Sequence, residues 1–445
     1  MSAALLNSAP LTASEIVEIL TFRSGFNTSM VVGGTALLGL AAGVVGAFAL
    51  LRKRSLLADA VSHATLPGVA IAFLVAGGLG LDGRSLPILL LGAAVSGVIG
   101  AGSIHLIVRH SRLNEDAAIG IVLSVFFGAG IVLLSYIQRN APQGAAGLNS
   151  FIYGQAATML PRDVMLMGSI ALVSVAGVFA FKKELSVVCF NDAFARVDGW
   201  PVTAIDLGLV GFVVLVTVSG LQAVGLILVV ALLIIPPVAA RFWTERLWAL
   251  LLLSGGIGAA SGYAGSVISA MNPGRPAGAV IVLTAGALFL ISMLAAPSRG
   301  VIATGLRRLS LHVKIAGDHL LEAAHERGIT VMTRPEVAGV AAERGWSGLF
   351  ARAISMTLKW RGFLVNGDQG GLALTAKGES RGAQVSRNHA LWEQYLISHA
   401  DIAPNHVDWS VDQVEHALSA DLIARLEEAL AARGIPLPPR VAGEP

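Results

Sequence analysis

Long apolar runs separated by short basic loops fill the chain up to about residue 311, and shorter mixed segments fill the rest. The runs lie near Met30–Leu51, Leu56–Leu79, Leu86–Val108, Ala117–Ile137, Val164–Phe181, Val202–Ser219, Leu221–Ala240, Leu247–Ala270 and Ala277–Ala296. Each approaches or reaches the roughly 20 residues that a helix needs to cross a bilayer. Two adjacent runs can count as one, so the pattern predicts eight or nine spans. Beyond residue 311 the pattern changes. Leu320 to Glu326 reads as a helix. Glu336 to Glu343, a turn at Arg344-Gly345-Trp346, and Leu349 to Trp360 read as helix-turn-helix. Arg361 to Thr375 reads as a hairpin, with Asn366-Gly367 and Gly370-Gly371 as turn formers. Together these elements predict a winged helix.

The loops give an orientation. Arg52-Lys53-Arg54, Arg109 to Arg112, Lys182-Lys183, Arg241 with Arg246, and Arg299 with Arg307-Arg308 fall on alternate loops. All five face the cytoplasm if there are nine spans and the N-terminus is outside. The segment beyond residue 311 is then cytoplasmic as well. The opposite loops, Gly80 to Ser85, Arg139 to Arg162 and Met271 to Arg275, carry fewer basic residues.

Composition agrees with a membrane protein. Hydrophobic residues make up 55% of 445, charged residues only 13%, and the mean hydropathy is +0.73. Soluble chains carry about a quarter charged residues. Residues 1–311 hold 18 Lys+Arg against 12 Asp+Glu, and residues 312–445 hold 13 against 16. The two parts therefore meet different solvents. The single cysteine, Cys189, excludes an internal disulfide and any cysteine-rich metal cluster. Met1 to Leu20 lacks a basic start followed by an apolar run, so no cleavable signal peptide is expected. The 51 glycines let helices approach closely, and Pro67-Gly68 and Pro236-Pro237 interrupt apolar runs, as broken helices along transport paths do.

Asp59 and His63 stand out within this background. They lie four apart in the apolar stretch Leu56 to Leu74, so on a helix they share one face. Ionisable groups at membrane depth are costly and mark substrate or ion paths. One carboxylate and one imidazole suit a divalent transition metal better than Ca²⁺ or Mg²⁺. The residues alone also permit another role, in which Asp59 caps the helix and His63 bonds a backbone carbonyl.

Arg54-Ser-Leu-Leu-Ala-Asp59-Ala-Val-Ser-His63-Ala-Thr-Leu-Pro67-Gly68 resembles the signature of permease subunits of metal-ion ABC importers, the manganese/zinc/iron group. Gly225 to Pro236 followed by Ala239-Ala240-Arg241, and Asn272-Pro-Gly-Arg-Pro276 with Ala-Gly-Ala-Val after it, resemble later motifs of the same family. The resemblance covers residues 20–300. It implies an inner-membrane permease that pairs with a second copy or paralogue in the lipid bilayer. It also implies receipt of metal from an extracellular or periplasmic binding protein and drive by an ABC ATPase subunit. The family's in-membrane metal residues fall on Asp59 and His63. Phe190 to Trp200 resembles the family's coupling segment, with Phe190, Asp192, Arg196 and Gly199 as its candidate residues; Asp192 is placed to cap it and Gly199 to end it. The chain has no G-x-x-x-x-G-K-[ST] loop, so ATP hydrolysis needs a partner.

Residues 315–432 resemble the metal-dependent repressors of the diphtheria-toxin-repressor type. Those repressors sense metal with ligands on three helices, and the matching positions are His389, Asp412, Glu415 and His416. The first-helix pair falls on His319 and Glu322, where a histidine departs from the acidic pattern. The implied ion is Mn²⁺, Fe²⁺ or Zn²⁺. Arg352, Lys359 and Arg361 are too few cations to make this net-negative part a good DNA binder.

The expected protein is therefore an all-α polytopic membrane protein followed by a cytoplasmic winged-helix plus helical metal-sensor and dimerisation domain. Its parts would be residues 1–305, 306–380 and 381–445. The expected function is a permease for a divalent transition metal, Mn²⁺ first and Zn²⁺ or Fe²⁺ behind it, with a metal-sensing tail. One rival reading is a membrane-anchored metal-dependent transcription regulator, for which nine spans are more than an anchor requires. Another is a secondary transporter without an ATPase, against which the coupling-like segment speaks.

Overall fold

The computed structural model of the chain describes residues 18, 26–52, 55–81, 85–140, 161–272, 275–367, 370–399 and 420–439. The chain divides into two compact units, Met1–Ala303 and Thr304–Pro445.

The first unit is helical throughout its described residues. Its helices are α1 (Phe26–Leu51), α2 (Ser55–Gly78), α3 (Leu86–His110), α4 (Glu115–Asn140), α5 (Pro161–Ala180), α6 (Lys182–Phe190), α7 (Asp192–Val197), α8 (Val202–Val224), α9 (Leu226–Arg241), α10 (Leu247–Met271) and α11 (Ala277–Ala295). Among the described residues, eight helices are long and apolar enough to cross a membrane: α1 to α5, α8, α10 and α11. The ninth run is α9, only 16 residues long. At 1.5 Å per residue it spans about 24 Å, short of the roughly 30 Å hydrocarbon core. Gly225, with φ +83°, separates it from α8. Leu228, Val229, Leu232 and Leu233 of α9 are buried, so it sits inside the bundle.

Lipid offers no hydrophobic drive between helices, so close backbone packing must hold the bundle. Glycines provide it. A Cβ at Gly39 of α1 would lie 2.1 Å from the Gly258 carbonyl oxygen of α10, and one at Gly258 would lie 2.0 Å from that of Gly39. Gly43 meets the Ser254 carbonyl and Gly262 that of Thr35 in the same way. The hydroxyls of Thr35 and Ser266 join the same two helices at 2.8 Å. Helix α2 is gripped similarly. A Cβ on Gly68 would come 2.1 Å from the Gly92 carbonyl oxygen of α3, and one on Gly130 of α4 would come 2.7 Å from the Leu66 Cβ. Ser96 of α3 donates to the Ala64 carbonyl of α2 at 2.6 Å.

The second unit contains most of α12 (Val301–Glu326), then β1 (Val331–Met332), α13 (Arg334–Glu343), α14 (Gly348–Trp360), β2 (Leu364–Asn366), β3 (Leu372–Leu374), α15 (Ala376–His399) and α16 (Ala420–Ala432). Helix α12 begins well before the expected Leu320, because Ile302, Leu306, Leu309 and Val313 continue a helical stripe N-terminal to it. Thr333 and Glu336 form a capping box on α13, and Ser347 caps α14. The strands pair antiparallel in the order β1-β3-β2, with Val365 opposite Ala373 and Val331 opposite Ala373 on the other side. Leu320, Leu321, Met332, Val340, Ile354, Leu358 and Leu364 form the core. Arg381 of α15 reaches Asp318 of α12 with two bonds, 3.0 and 2.6 Å, and Arg387 pairs with Glu427 of α16.

Candidate functional site

Helix α2 is a run of apolar and small residues, most of them packed inside the bundle, and its one proline is accommodated within it. Pro67 has no N–H, so the His63 carbonyl, four residues earlier, loses its helical donor. Asp59 Oδ1 lies 3.4 Å from His63 Nε2. Their neighbours Ala60, Val61, Ser62 and Ala64 are fully buried, yet the side chains of Asp59 and His63 are 35% and 21% exposed. The pair thus stays accessible amid buried neighbours. Phe127 of α4 stands edge-on to the His63 ring, centroids 4.9 Å apart. His63 Nδ1 is buried with no hydrogen-bond partner. Asp59 lies in the second turn of α2, so it is not a terminal cap. One carboxylate oxygen, one imidazole and a released carbonyl therefore gather on one stretch of helix, a hard-to-borderline donor set that fits a first-row divalent ion.

The segment from Phe190 to Gly199 is a separate constellation. Asn191, not Asp192, caps α7, its side chain accepting from the N–H groups of Ala193 and Phe194 at 3.0 and 3.1 Å. Gly199, φ +83°, follows the helix end. Val188, Ala195 and Val202 bury together and fix α6, α7 and the start of α8 to one another. On the outer side Phe190, Phe194 and Val197 are 95%, 60% and 89% exposed. Phe194 and Val197, three apart, share one face of α7, and Phe190 is the last residue of α6, set off from them by the extended Asn191. Phe194 and Val197 were not singled out by sequence, although two apolar residues three apart in a polar stretch were visible. Asp192 turns inward to pair with Arg52, the residue after α1, while Arg196 reaches it only at 4.0 Å and stays exposed. Burial disfavours the Arg52 cation, but Asp192 and Asp206 outweigh that and stabilise it beyond its ordinary range.

In the second unit, three of the expected tail residues come together. His319 Nδ1 lies 3.2 Å from Glu322 Oε2, and His389 Nδ1 lies 3.4 Å from Glu322 Oε1. Burial pushes the Glu322 carboxyl up, but the two facing imidazoles outweigh it and hold it at about 2, below the ordinary 4.5. Its Oε1 is buried without a hydrogen-bond partner. Among the described residues no three His, Cys, Asp or Glu side chains form a group arranged to hold a metal ion. Asp412, Glu415 and His416 lie outside the described residues. The nitrogen and carboxylate donors present fit a divalent transition metal in type and supply part of a coordination shell. On α14, Leu349, Met356 and Trp360 form an exposed apolar stripe, with Arg352 beside it and Lys359 bonded to Asn366 at 2.6 Å.

Comparison with known proteins places both units. Residues 27–296 match the ABC 3 transport family, and residues 375–433 match the iron dependent repressor, metal binding and dimerisation domain. The chain is 39% identical over 377 residues to the manganese transport system membrane protein MntC of Bacillus subtilis, covering 85% of this chain and 86% of that protein. It is 45% identical over 279 residues to the zinc transport system membrane protein TroC of Treponema pallidum, covering 63% of this chain and 92% of that protein. Among solved structures, PsaBC from Streptococcus pneumoniae in complex with Fab matches with a TM-score of 0.56 at 32% identity, over 65% of this chain and 98% of that one. With its bundle of membrane-length helices and its repressor-type C-terminal domain, the chain is a transport subunit rather than an enzyme and belongs to the ABC 3 transport family.

Proposed function

We propose that this chain is the permease through which an ATP-driven importer passes a divalent transition metal, Mn²⁺ ahead of Zn²⁺ and Fe²⁺. The observation that carries the reading is the accessible Asp59–His63 pair on α2, set among buried neighbours. The imidazole offers Nε2 and the carboxylate Oδ1 to the same ion, displacing the contact they make with each other. Two side chains do not complete the shell of such an ion. The His63 carbonyl, water and the same face of a second permease copy supply the rest. The relatives named for manganese and for zinc support the metal class and leave the order among metals to experiment.

The segment with exposed Phe190, Phe194 and Val197 is the docking surface for the separate ATPase subunit, and an extracellular binding protein delivers the ion. Among the described residues, five membrane-length helices precede this segment and three follow it, with the shorter α9 as a fourth. With α9 completing a crossing, the segment and the second unit lie on the same, cytoplasmic, side. The second unit is a winged-helix and sensor tail in which His319, Glu322 and His389 join Asp412, Glu415 and His416 around internal metal and restrain transport. The apolar stripe of α14 favours contact with protein over contact with DNA phosphates. The deciding experiment is metal uptake by the assembled transporter with competing Mn²⁺, Zn²⁺ and Fe²⁺, for the wild type and for Asp59→Ala and His63→Ala. Loss of uptake in both variants at matched membrane levels is expected. Normal uptake by both would remove the pair from the path.

A further inference from the structure

Arg52 is read from sequence as one of three cations that orient a loop. Its geometry gives it more. It follows α1 directly and precedes α2 by three residues, so it belongs to the turn that leads into the helix of Asp59 and His63. Its side chain is 10% exposed. Nη1 donates to the Val188 carbonyl of α6 at 2.9 Å and to the Asp192 carboxylate of α7. Nη2 donates to Asp206 Oδ2 of α8 at 2.8 Å and reaches Asp192 Oδ2 at 3.4 Å. One guanidinium thus holds three successive elements that lie more than 130 residues further along the chain. Those three elements are the ones that the Val188–Ala195–Val202 cluster makes into a single body. The same body carries the exposed apolar residues Phe190, Phe194 and Val197. A planar guanidinium, with five donors in a fixed fork, addresses two carboxylates and a carbonyl at once; an ammonium has three donors at a single point and fits this spread geometry less well.

We propose that Arg52 is a positioning residue that transmits movement of the docking segment to the α1–α2 turn, and so to the helix of the metal pair. The proposal rests on the reading of that segment as the ATPase contact. A push or pull on α7 by a bound ATPase reaches Arg52 through Asp192. Arg52 passes it to the turn, and α2, gripped by the glycine contacts with α3 and α4, moves as a rigid rod. Asp206 anchors the other edge of the fork to α8, so the turn follows the docking body rather than sliding over it. Asp192 therefore acts inward, through Arg52, and not as a direct contact for the ATPase.

The test uses the complete transporter, with its ATPase and binding protein, reconstituted in lipid vesicles with Mn²⁺ as the transported probe. Arg52→Gln, Arg52→Lys and Asp206→Asn are compared with Phe194→Ser. Three quantities are read: ATPase retained on the permease, ATP hydrolysed, and metal delivered. For Arg52→Gln the ATPase stays bound and hydrolysis persists, while metal delivered per ATP falls about tenfold, the middle of the usual range for a broken coupling link. Arg52→Lys and Asp206→Asn fall in between, because each leaves part of the fork satisfied. Phe194→Ser instead releases the ATPase. If Arg52→Gln lowers metal delivery and ATPase retention in parallel, Arg52 merely builds the docking surface and the proposal is overturned. An unchanged metal-to-ATP ratio in a properly assembled variant overturns it equally. Should Arg52→Gln fail to assemble, Asp206→Asn carries the test, since Asp206 is not one of the docking residues. The underlying reading fails in a different way: Phe194→Ser then retains the ATPase, whatever the Arg52 variants do.

Discussion

Gly68→Ala is a one-carbon change beside the candidate metal pair, and its cost can be worked out from the packing. The added Cβ would sit 2.1 Å from the Gly92 carbonyl oxygen and 2.5 Å from the Ser96 Cβ. Ordinary contact begins near 3.4 Å, so α2 and α3 must part by about 1.3 Å. The obstructing oxygen is backbone, so no side chain can swing away. Overpacking of this kind costs roughly 1–3 kcal/mol, and a gap near 1 Å forfeits up to about half of each dispersion contact along the seam. His63 lies five residues, about 7.5 Å, along the same helix. A shift near 1 Å at a working site costs on the order of 10²-fold in enzymes, so metal uptake should fall by at least about tenfold. Uptake is measured at matched membrane level, with the thermal unfolding of the detergent-solubilised protein alongside. Gly102→Ala on α3 is the control, because nothing lies within 4 Å of its Cβ. It should be neutral or stabilising by up to about 1 kcal/mol, from better helix propensity. Equal uptake and equal melting for the two variants would refute the reasoning.

Replacing Phe190, Phe194 and Val197 together with serine should release the ATPase in a pull-down while leaving the permease correctly inserted, and undiminished ATPase recovery would dismiss them as a docking surface. A tail fragment of residues 304–445 should bind Mn²⁺ or a related ion by calorimetry, and Glu322→Gln should weaken binding by roughly 10- to 100-fold, as loss of a ligand or its support does; heat-free titration of the wild-type fragment would end the sensor reading. Glu322 is held below its ordinary value in the folded tail. Its contribution is therefore present above pH 4.5 and is lost as the pH falls from about 4.5 toward about 2. Melting of the fragment should drop across that acidic window, and Glu322→Gln should flatten the drop.

The membrane helices were legible because each needs its own unbroken apolar run, and basic loops punctuate them. The break between α8 and α9 was legible only approximately, placed near Ser219 rather than at Gly225. Gly225 breaks the helix by its positive φ, three residues beyond Gln222, and a glycine in a glycine-rich apolar chain does not announce a break. Asp59 and His63 were legible because i, i+4 spacing alone decides that they share a face. Arg52 was legible only as a charge. Its partners lie 136 to 154 residues away, and nothing local announces them. Asn191 and Asp192 compete for one cap, and sequence favours either; Asp192 is withdrawn from the cap by Arg52. In the tail, His319 and Glu322 are brought to His389 by the packing of α12 on α15, a tertiary fact that only the resemblance to known repressors anticipated.

The seam between α1 and α10 bears on how the protein is made. Gly39 and Gly43 press against Ser254 and Gly258, more than two hundred residues later in the chain. At about 5–20 residues per second, a ribosome needs roughly ten to forty seconds to supply the second half of that seam. During that time α1, the most enclosed of the spans, sits in lipid with its glycine groove uncovered. Helices α2 to α4 can settle as a group of their own and α5 can pack on α1, but the glycine groove of α1 waits for α10. Assembly of this bundle is therefore not a front-to-back process. Any chain that stops before α10 leaves an unlatched first helix in the bilayer, a ready mark for membrane quality control.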